Sequence, residues 1–335
     1  MTSTTEGLPA PGLRWGILAT GHIAHRFTGD ALAAGLNVTA VGSRSADSAR
    51  TFAAEYGIPR AHGSYAELTA DDGVDIIYVA TPHPSHCENA LLALQQGKHV
   101  LVEKPFTLNQ AEAERIRKTA RSNGLLALEA MWTRYLPHMV RIRELIAAGA
   151  IGEVRTLFAD HNQRLPTDPA HRINSLELGG GALLDLGVYP LSFAWDILGA
   201  PEGIQASARF GETGADTEVA AMLRHASGAL STSMCSSRAV GPNTAHIVGT
   251  EGRIDISRVW YTPSGFTLST PDGTVVEEYT CPESDGGMQH QAVAAERLVA
   301  ENNLTGGLLT LADSVAIMGT LDEIRRQIGL VYPGE

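Results

Sequence analysis

Cysteine is scarce. Three occur in 335 residues, at Cys87, Cys235 and Cys281, with no CxxC spacing. Neither a zinc site nor a disulfide framework is suggested, and each thiol reads as a small buried hydrophobe. Basic charge is also in deficit: 25 Lys and Arg stand against 37 Asp and Glu, a net charge of −12. A protein that grips a nucleic-acid backbone needs a basic face, so that class is disfavoured. No run approaches the roughly 18 apolar residues of a membrane span. Residues Met1 to Gly12 are polar and lack a basic stretch followed by an apolar core. They predict a disordered leader rather than a signal peptide, and a cytoplasmic protein without nucleic-acid or membrane partners. Internal repeats and low-complexity tracts are missing too.

What is present is an ordinary globular composition, 44% apolar and 19% charged, over a length that fits two domains. Across residues 13–132 short apolar runs alternate with amphipathic stretches. Strands are expected at Arg14–Ala19, Val38–Ser43, Asp75–Thr81, His99–Glu103 and Leu125–Ala130, with helices including Glu88–Gln96 and Ala111–Ser122. Near-continuous apolar strands separated by helices predict a doubly wound parallel sheet, the Rossmann arrangement. Across residues 133–335 an amphipathic helix carrying Val140, Ile142, Leu145 and Ile146 is followed by Val154–Asp160. Then come short strands at Ala206–Phe210, Val219–Arg224, Ala229–Cys235, Ala245–Gly249 and Gly252–Ser257. Runs of strands without helices between them predict an α+β domain with an open, mostly antiparallel sheet. An open sheet face is a common surface for subunit association, so a homodimer or homotetramer is expected.

The first strand runs into Ala19-Thr20-Gly21-His22-Ile23-Ala24. Against G-x-G-x-x-G/A the first glycine is missing, while Gly21 and Ala24 hold their places. Gly21 stands where backbone must approach a pyrophosphate, and the helix starting beyond it offers free N–H groups. Thr20, Gly21, His22 and Ile23 are therefore expected to hold a dinucleotide. At the end of the second strand the carboxylate that would take both ribose hydroxyls of NAD is lacking. Ser43 and Arg44 stand there instead, Arg44 23 residues after Gly21, and a guanidinium fork suits a phosphate. NADP is expected, with NAD the weaker reading. The loop Thr81-Pro82-His83-Pro84-Ser85-His86 lies at the carboxyl edge, where Thr81, Pro82, His83 and His86 would line the cofactor. His83 and His86 stand three apart, but no carboxylate or cysteine completes a ligand set, so no metal is expected. Glu103-Lys104-Pro105 closes a further strand at the same edge.

The G-x-x-A turn, the Thr81-Pro82 loop and the Glu103-Lys104-Pro105 triplet, in this order and spacing, resemble the glucose–fructose oxidoreductase, inositol dehydrogenase and rhizopine-catabolism (Gfo/Idh/MocA) family. The resemblance runs from about Leu13 to Pro333. Ala19 departs from the family's usual glycine. The stretch Gly179-Gly180-Gly181-Ala182-Leu183-Leu184-Asp185-Leu186-Gly187-Val188-Tyr189 is similar to the family pattern GGG-x-L-x-D-x-G-x-H, with Tyr189 where many members have histidine. That tyrosine and the Trp132-Thr133-Arg134-Tyr135 stretch resemble the dimeric dihydrodiol dehydrogenase and D-xylose dehydrogenase branch. The closing segment from Leu321 to Pro333 is similar to the end of those proteins as well.

The resemblance implies hydride exchange between nicotinamide C4 and a carbinol or carbonyl carbon of a sugar, polyol or cyclic diol. Lys104 is the expected acid/base, with Asp185 positioning it or the substrate and Tyr189 as alternative acid/base or orienting partner. The spacing of Asp185 and Tyr189 puts both on one face of a helix beginning near Ala182. Burial and a positive nicotinamide would lower the lysine's pKa, and Glu103, if close, would raise it. Trp132, Arg134, His161, Arg164 and Arg172 are second-tier candidates for binding substrate. A ketosugar or aldose reductase would use the same residues in reverse. A cofactor-sensing regulator is the non-enzyme reading, and Lys104 with Asp185 and Tyr189 argues against it.

Overall fold

The computed structural model describes residues 12–281 and 286–335, so the expected leader, Gly12 apart, lies outside the described residues. The first sheet holds β1 (Arg14–Leu18), β2 (Asn37–Gly42), β3 (Arg60–His62), β4 (Ile76–Val79), β5 (His99–Glu103) and β6 (Ala127–Ala130). All pair in parallel, in the order β3-β2-β1-β4-β5-β6. Strands β4 and β6 are buried along their whole length, β4 as a continuous apolar run and β6 with Glu129 enclosed in it. Helices α1 (His22–Ala33), α2 (Ala46–Tyr56), α3 (Tyr65–Thr69), α4 (His86–Gln95) and α5 (Gln110–Asn123) connect them. Local chemistry sets the helix ends. Ser45 and Asn109 cap α2 and α5 by accepting N–H groups of Ser48 and Glu112, and Gly57 and Gly124 end them in left-handed conformation. Strand order reverses between β1 and β4, which places a ligand crevice at the carboxyl ends of those strands.

Sequence reading missed β3. Its Arg-Ala-His has no apolar run, and main-chain pairing with β2 makes it a strand at the sheet edge.

The second sheet has eight strands: β7 (Val154–Asn162), β8 (Pro201–Phe210), β9 (Asp216–His225), β10 (Leu230–Ser236), β11 (Ala245–Gly249), β12 (Arg253–Ile256), β13 (Phe266–Ser269) and β14 (Val275–Tyr279). Their order is β14-β13-β12-β11-β7-β10-β9-β8. Every pair is antiparallel except β7 with β10. Strands β13 and β14 were not foreseen. One face is covered by α7 (Val188–Leu198), whose contacts fall on β7 and β10. The other leaves Phe158, Met222, Leu230 and Met234 at 40–44% exposure.

The expected helix near Ala182 opens with a wide π turn, Leu183–Gly187, before α7 begins. Leu176–Leu198 is apolar enough by length and composition to cross a membrane, yet its apolar part is mostly buried within the protein. After α6 (Pro137–Ala147) and the second sheet, α8 (Gln289–Ala300) and α9 (Leu311–Ile328) return to the first half of the molecule. There they pack on α1 and on α5 and β6.

Candidate active site

The turn after β1 is held by Ala19 N–H, which donates to Gly42 O at 2.9 Å. Ala19 takes φ +90°, a region that favours glycine. Gly21 precedes α1 without any side-chain cap, so the first N–H groups of that helix have no partner from a capping side chain. A Cβ at Gly21 would meet nothing within 4 Å. Space and unused donors together fit a pyrophosphate. Thr20 and Ile23 are half-buried beside the turn, and His22 is exposed at the helix start. Ser43 is buried at the end of β2, accepting the Ser45 N–H at 3.3 Å, while Arg44 is exposed beyond it and acts on the Tyr65 hydroxyl. A hydroxyl and a guanidinium, with no carboxylate at this strand end, suit a ribose phosphate.

The loop after β4 divides its residues. Pro82 is exposed, and Thr81 is buried, its hydroxyl accepting from Asn89 at 3.3 Å. His86 is fully buried, with Nδ1 2.8 Å from Pro105 O and Nε2 2.8 Å from Thr81 O. It braces two loops against each other, with both ring nitrogens engaged. His83 turns the other way: Nδ1 lies 3.1 Å from Gly179 O and Nε2 3.8 Å from Asp185 Oδ1. Burial pushes His83 down to about 3, so it is neutral near pH 7.

Lys104 leaves the end of β5 and meets the π turn. Its Nζ donates to Asp185 O at 2.7 Å and to Asp185 Oδ1 at 3.1 Å, and lies 5.0 Å from the centre of the Tyr189 ring. Two buried carboxylates hold the loop that carries it. Glu103 accepts the Lys104 N–H at 3.2 Å and the Tyr78 hydroxyl, and Glu129 accepts the Phe106 N–H at 3.1 Å. Burial pushes Glu129 up to about 7.

The sequence left open whether burial or nearby negative charge governs Lys104, and the structure favours the charge. Burial does pull it down, but Asp185, Tyr189 and Glu103 outweigh that and hold the amine above the ordinary lysine range. Burial would raise Asp185, yet Lys104, Arg172 and His83 keep it well below the usual carboxylate range. A buried ion pair is the ground state.

Arg172 is drawn onto this pair. Its guanidinium donates to Asp185 Oδ2 at 3.1 Å and Oδ1 at 3.4 Å from a half-exposed position. Tyr189 is buried, and its hydroxyl accepts Trp132 Nε1–H at 3.2 Å. Burial raises the phenol's pKa, so it stays protonated. His161 stands edge-on to Tyr189 at 4.9 Å and stacks on Tyr261 at 3.7 Å; burial pushes it down to about 3. Tyr261 was missed. Its signal was the Trp260-Tyr261 pair in a loop between sheet strands.

Arg134 is placed elsewhere. Its guanidinium donates to Ser192 Oγ, Ser192 O and Leu308 O at 3.2, 2.8 and 3.1 Å and pairs with Asp196, tying α7 to the segment before α9. Arg164 is exposed on the loop after β7. The guanidinium on the Trp132 ring belongs to Arg26, 4.6 Å from its centre.

Residues 13–130 match the oxidoreductase family with an NAD-binding Rossmann fold, and residues 139–255 match the GFO/IDH/MocA C-terminal domain. A trans-1,2-dihydrobenzene-1,2-diol dehydrogenase of Danio rerio is 35% identical over 96% of this chain and 98% of its own length. A D-xylose 1-dehydrogenase (NADP(+)) of Hypocrea jecorina is 36% identical over 96% and 93%. Among solved structures, a 3-ketoreductase from Actinomadura kijaniata in complex with NADP and TDP-benzene superposes with a TM-score of 0.83 at 28% identity, covering 95% of this chain and 98% of that one. The chain belongs to the Gfo/Idh/MocA family of nicotinamide-dependent oxidoreductases.

Proposed function

We propose that the protein is an NADP-dependent oxidoreductase acting on a carbinol or carbonyl carbon of a sugar, polyol or cyclic diol, with Lys104 as acid/base. The observation that carries this reading is the Lys104–Asp185 ion pair at the carboxyl edge of the parallel sheet. The 3-ketoreductase, the NADP(+)-dependent xylose dehydrogenase and the dihydrodiol dehydrogenase support the cofactor and the substrate range. Thr20 to Ile23 would hold the pyrophosphate, and Ser43 with Arg44 the ribose phosphate. The bound nicotinamide supplies or accepts the hydride.

Lys104 handles the proton. Held as an ammonium by Asp185, it donates to a carbonyl oxygen as that oxygen gains charge, and in the reverse direction a neutral amine would have to form first. The raised pKa keeps Lys104 in the acid form that a carbonyl reduction uses. The Tyr189 phenol, oriented by Trp132, hydrogen-bonds the same oxygen, and the His161–Tyr261 stack packs against the substrate's carbon face. Residues 13–132 serve as the cofactor domain, and the open face of the second sheet joins the subunits of a dimer or tetramer. Lys104→Met tests the reading: it should retain NADPH binding, seen by nucleotide fluorescence, and lose turnover on ketosugars, aldoses, cyclic polyols and dihydrodiols. Unchanged turnover sinks it.

A further inference from the structure

The closing segment of the chain lies behind the site and touches both of the loops that carry its central ion pair. Arg325, on α9, is buried and donates Nη1–H to Leu108 O at 2.8 Å, four residues beyond Lys104. Its other amino group pairs with Glu335, and its guanidinium covers the Tyr332 ring at 4.8 Å. Glu335 also accepts the Tyr332 N–H at 3.0 Å. So fixed, Tyr332 is 2% exposed and donates its hydroxyl to Gly180 O at 3.0 Å, five residues before Asp185.

The triple glycine is enclosed on its remaining sides. A Cβ on Gly179 would come 3.0 Å from both His83 Cβ and Leu108 Cδ2. A Cβ on Gly181 would come 2.0 Å from Asp216 Oδ1 and 3.3 Å from the Tyr332 hydroxyl. Asp216, 1% exposed, accepts the Leu183 N–H at 2.6 Å and so anchors the first turn of the segment bearing Asp185. One connected set of side chains thus spans from the Lys104 loop to the Asp185 turn without entering the cleft.

We propose that Tyr332, held by Arg325 and Glu335, is a positioning residue that sets the separation of Lys104 from Asp185. The inference rests on the proposed role of Lys104. Sliding the glycine loop away from α9 would lengthen the 3.1 Å contact between ammonium and carboxylate. The other charged or titratable groups acting on Lys104 are Glu103, Tyr189 and Arg172, with His83, His86 and His161 nearby. None of these is bonded to Tyr332, so a change in that residue reaches the lysine through Asp185.

Tyr332→Phe removes one hydroxyl and keeps the ring under Arg325. The expected result is a kcat lowered about five- to tenfold, the equivalent of one lost hydrogen bond, with KM for NADPH unchanged. Alongside it, the Lys104 ammonium should titrate at lower pH, read by NMR of 13C-labelled lysine Cε and by the basic limb of the kcat profile. Glu335→Gln, which leaves every packed ring in place, should move both readouts the same way by less. A fall in kcat with the Lys104 titration unmoved would show support of the fold alone and overturn the proposal, as would two unmoved readouts. The NMR titration does not depend on turnover. If Lys104→Met kept full activity while Tyr332→Phe still shifted the Lys104 signal, the role of the lysine would fail and the positioning would stand.

Discussion

The two sheets use their residues in opposite ways. In the parallel sheet both faces are covered, β4 and β6 are buried from end to end, and only the carboxyl edge is free to do chemistry. In the larger sheet β9 alternates buried and open positions, so a whole face is left with Phe158, Met222, Leu230 and Met234 outward. The difference follows from connection. Helical crossovers must lie on the faces of a parallel sheet, whereas strands joined by short turns leave one face for something else to cover. Candidate chemistry therefore gathers where strands end, and the proposed association where strands lie flat.

The comparison breaks most sharply at Lys104. Lys104→Met should lower turnover on the order of 10^2- to 10^4-fold, the usual worth of a positioned acid/base, with the oligomer mass unchanged by light scattering. A double change on the other sheet, Met222→Glu with Met234→Glu, should do the reverse. Mass falls to that of one chain, because carboxylates enter an apolar interface unpaired, while NADPH affinity holds. A variant that kept its mass would remove this face from the assembly.

Arg44→Ala stays at the parallel edge and removes one charge-assisted contact. NADPH affinity should drop about 10- to 100-fold and NADH affinity hardly at all, measured by fluorescence titration. Glu129 offers a subtler test inside the same sheet. Its folded pKa of about 7 stands above an unfolded value near 4.3. Its contribution is thus full below about pH 4.3 and is lost as pH rises through 7. Glu129→Gln should flatten the loss of melting temperature over that interval, and an unaltered slope would contradict the assignment. The smallest effect belongs to Ala19→Gly. Relief of a φ of +90° should stabilise the protein by about 1 kcal/mol in denaturant melts.

Much of this was legible in the residues, for reasons that differ by element. The strands β1, β4 and β5 announce themselves because burial on both faces demands unbroken apolar runs. Edge strand β3 does not, since its side chains carry no such demand. Gly21 stood out because it follows the first strand and opens a helix, whereas Lys104 and Asp185 were singled out through the family resemblance. The true partners of Arg134 and Arg172 were not. An arginine reaches any of several acceptors, and which one it meets depends on segments distant in the chain: Leu308 for the first, the Asp185 turn for the second. Tyr261 and Tyr332 were hidden for the same reason, each acting across more than 70 residues. The state of Lys104 turned on distances to three neighbours, which spacing alone does not supply.

The π turn at Leu183–Gly187 carries a consequence for how this site tolerates change in length. A π turn holds one residue more than the α-helical turn it replaces. Within that wider register, the residue five beyond Asp185 is Pro190, which has no N–H to offer. The Asp185 carbonyl oxygen accepts from Lys104 Nζ at 2.7 Å. Deleting a single residue there would let an ordinary helix close and rotate every following side chain by about 100°. Asp185 and Tyr189 would then no longer face the lysine together. At this one turn, chain length matters as much as the identity of any residue in it.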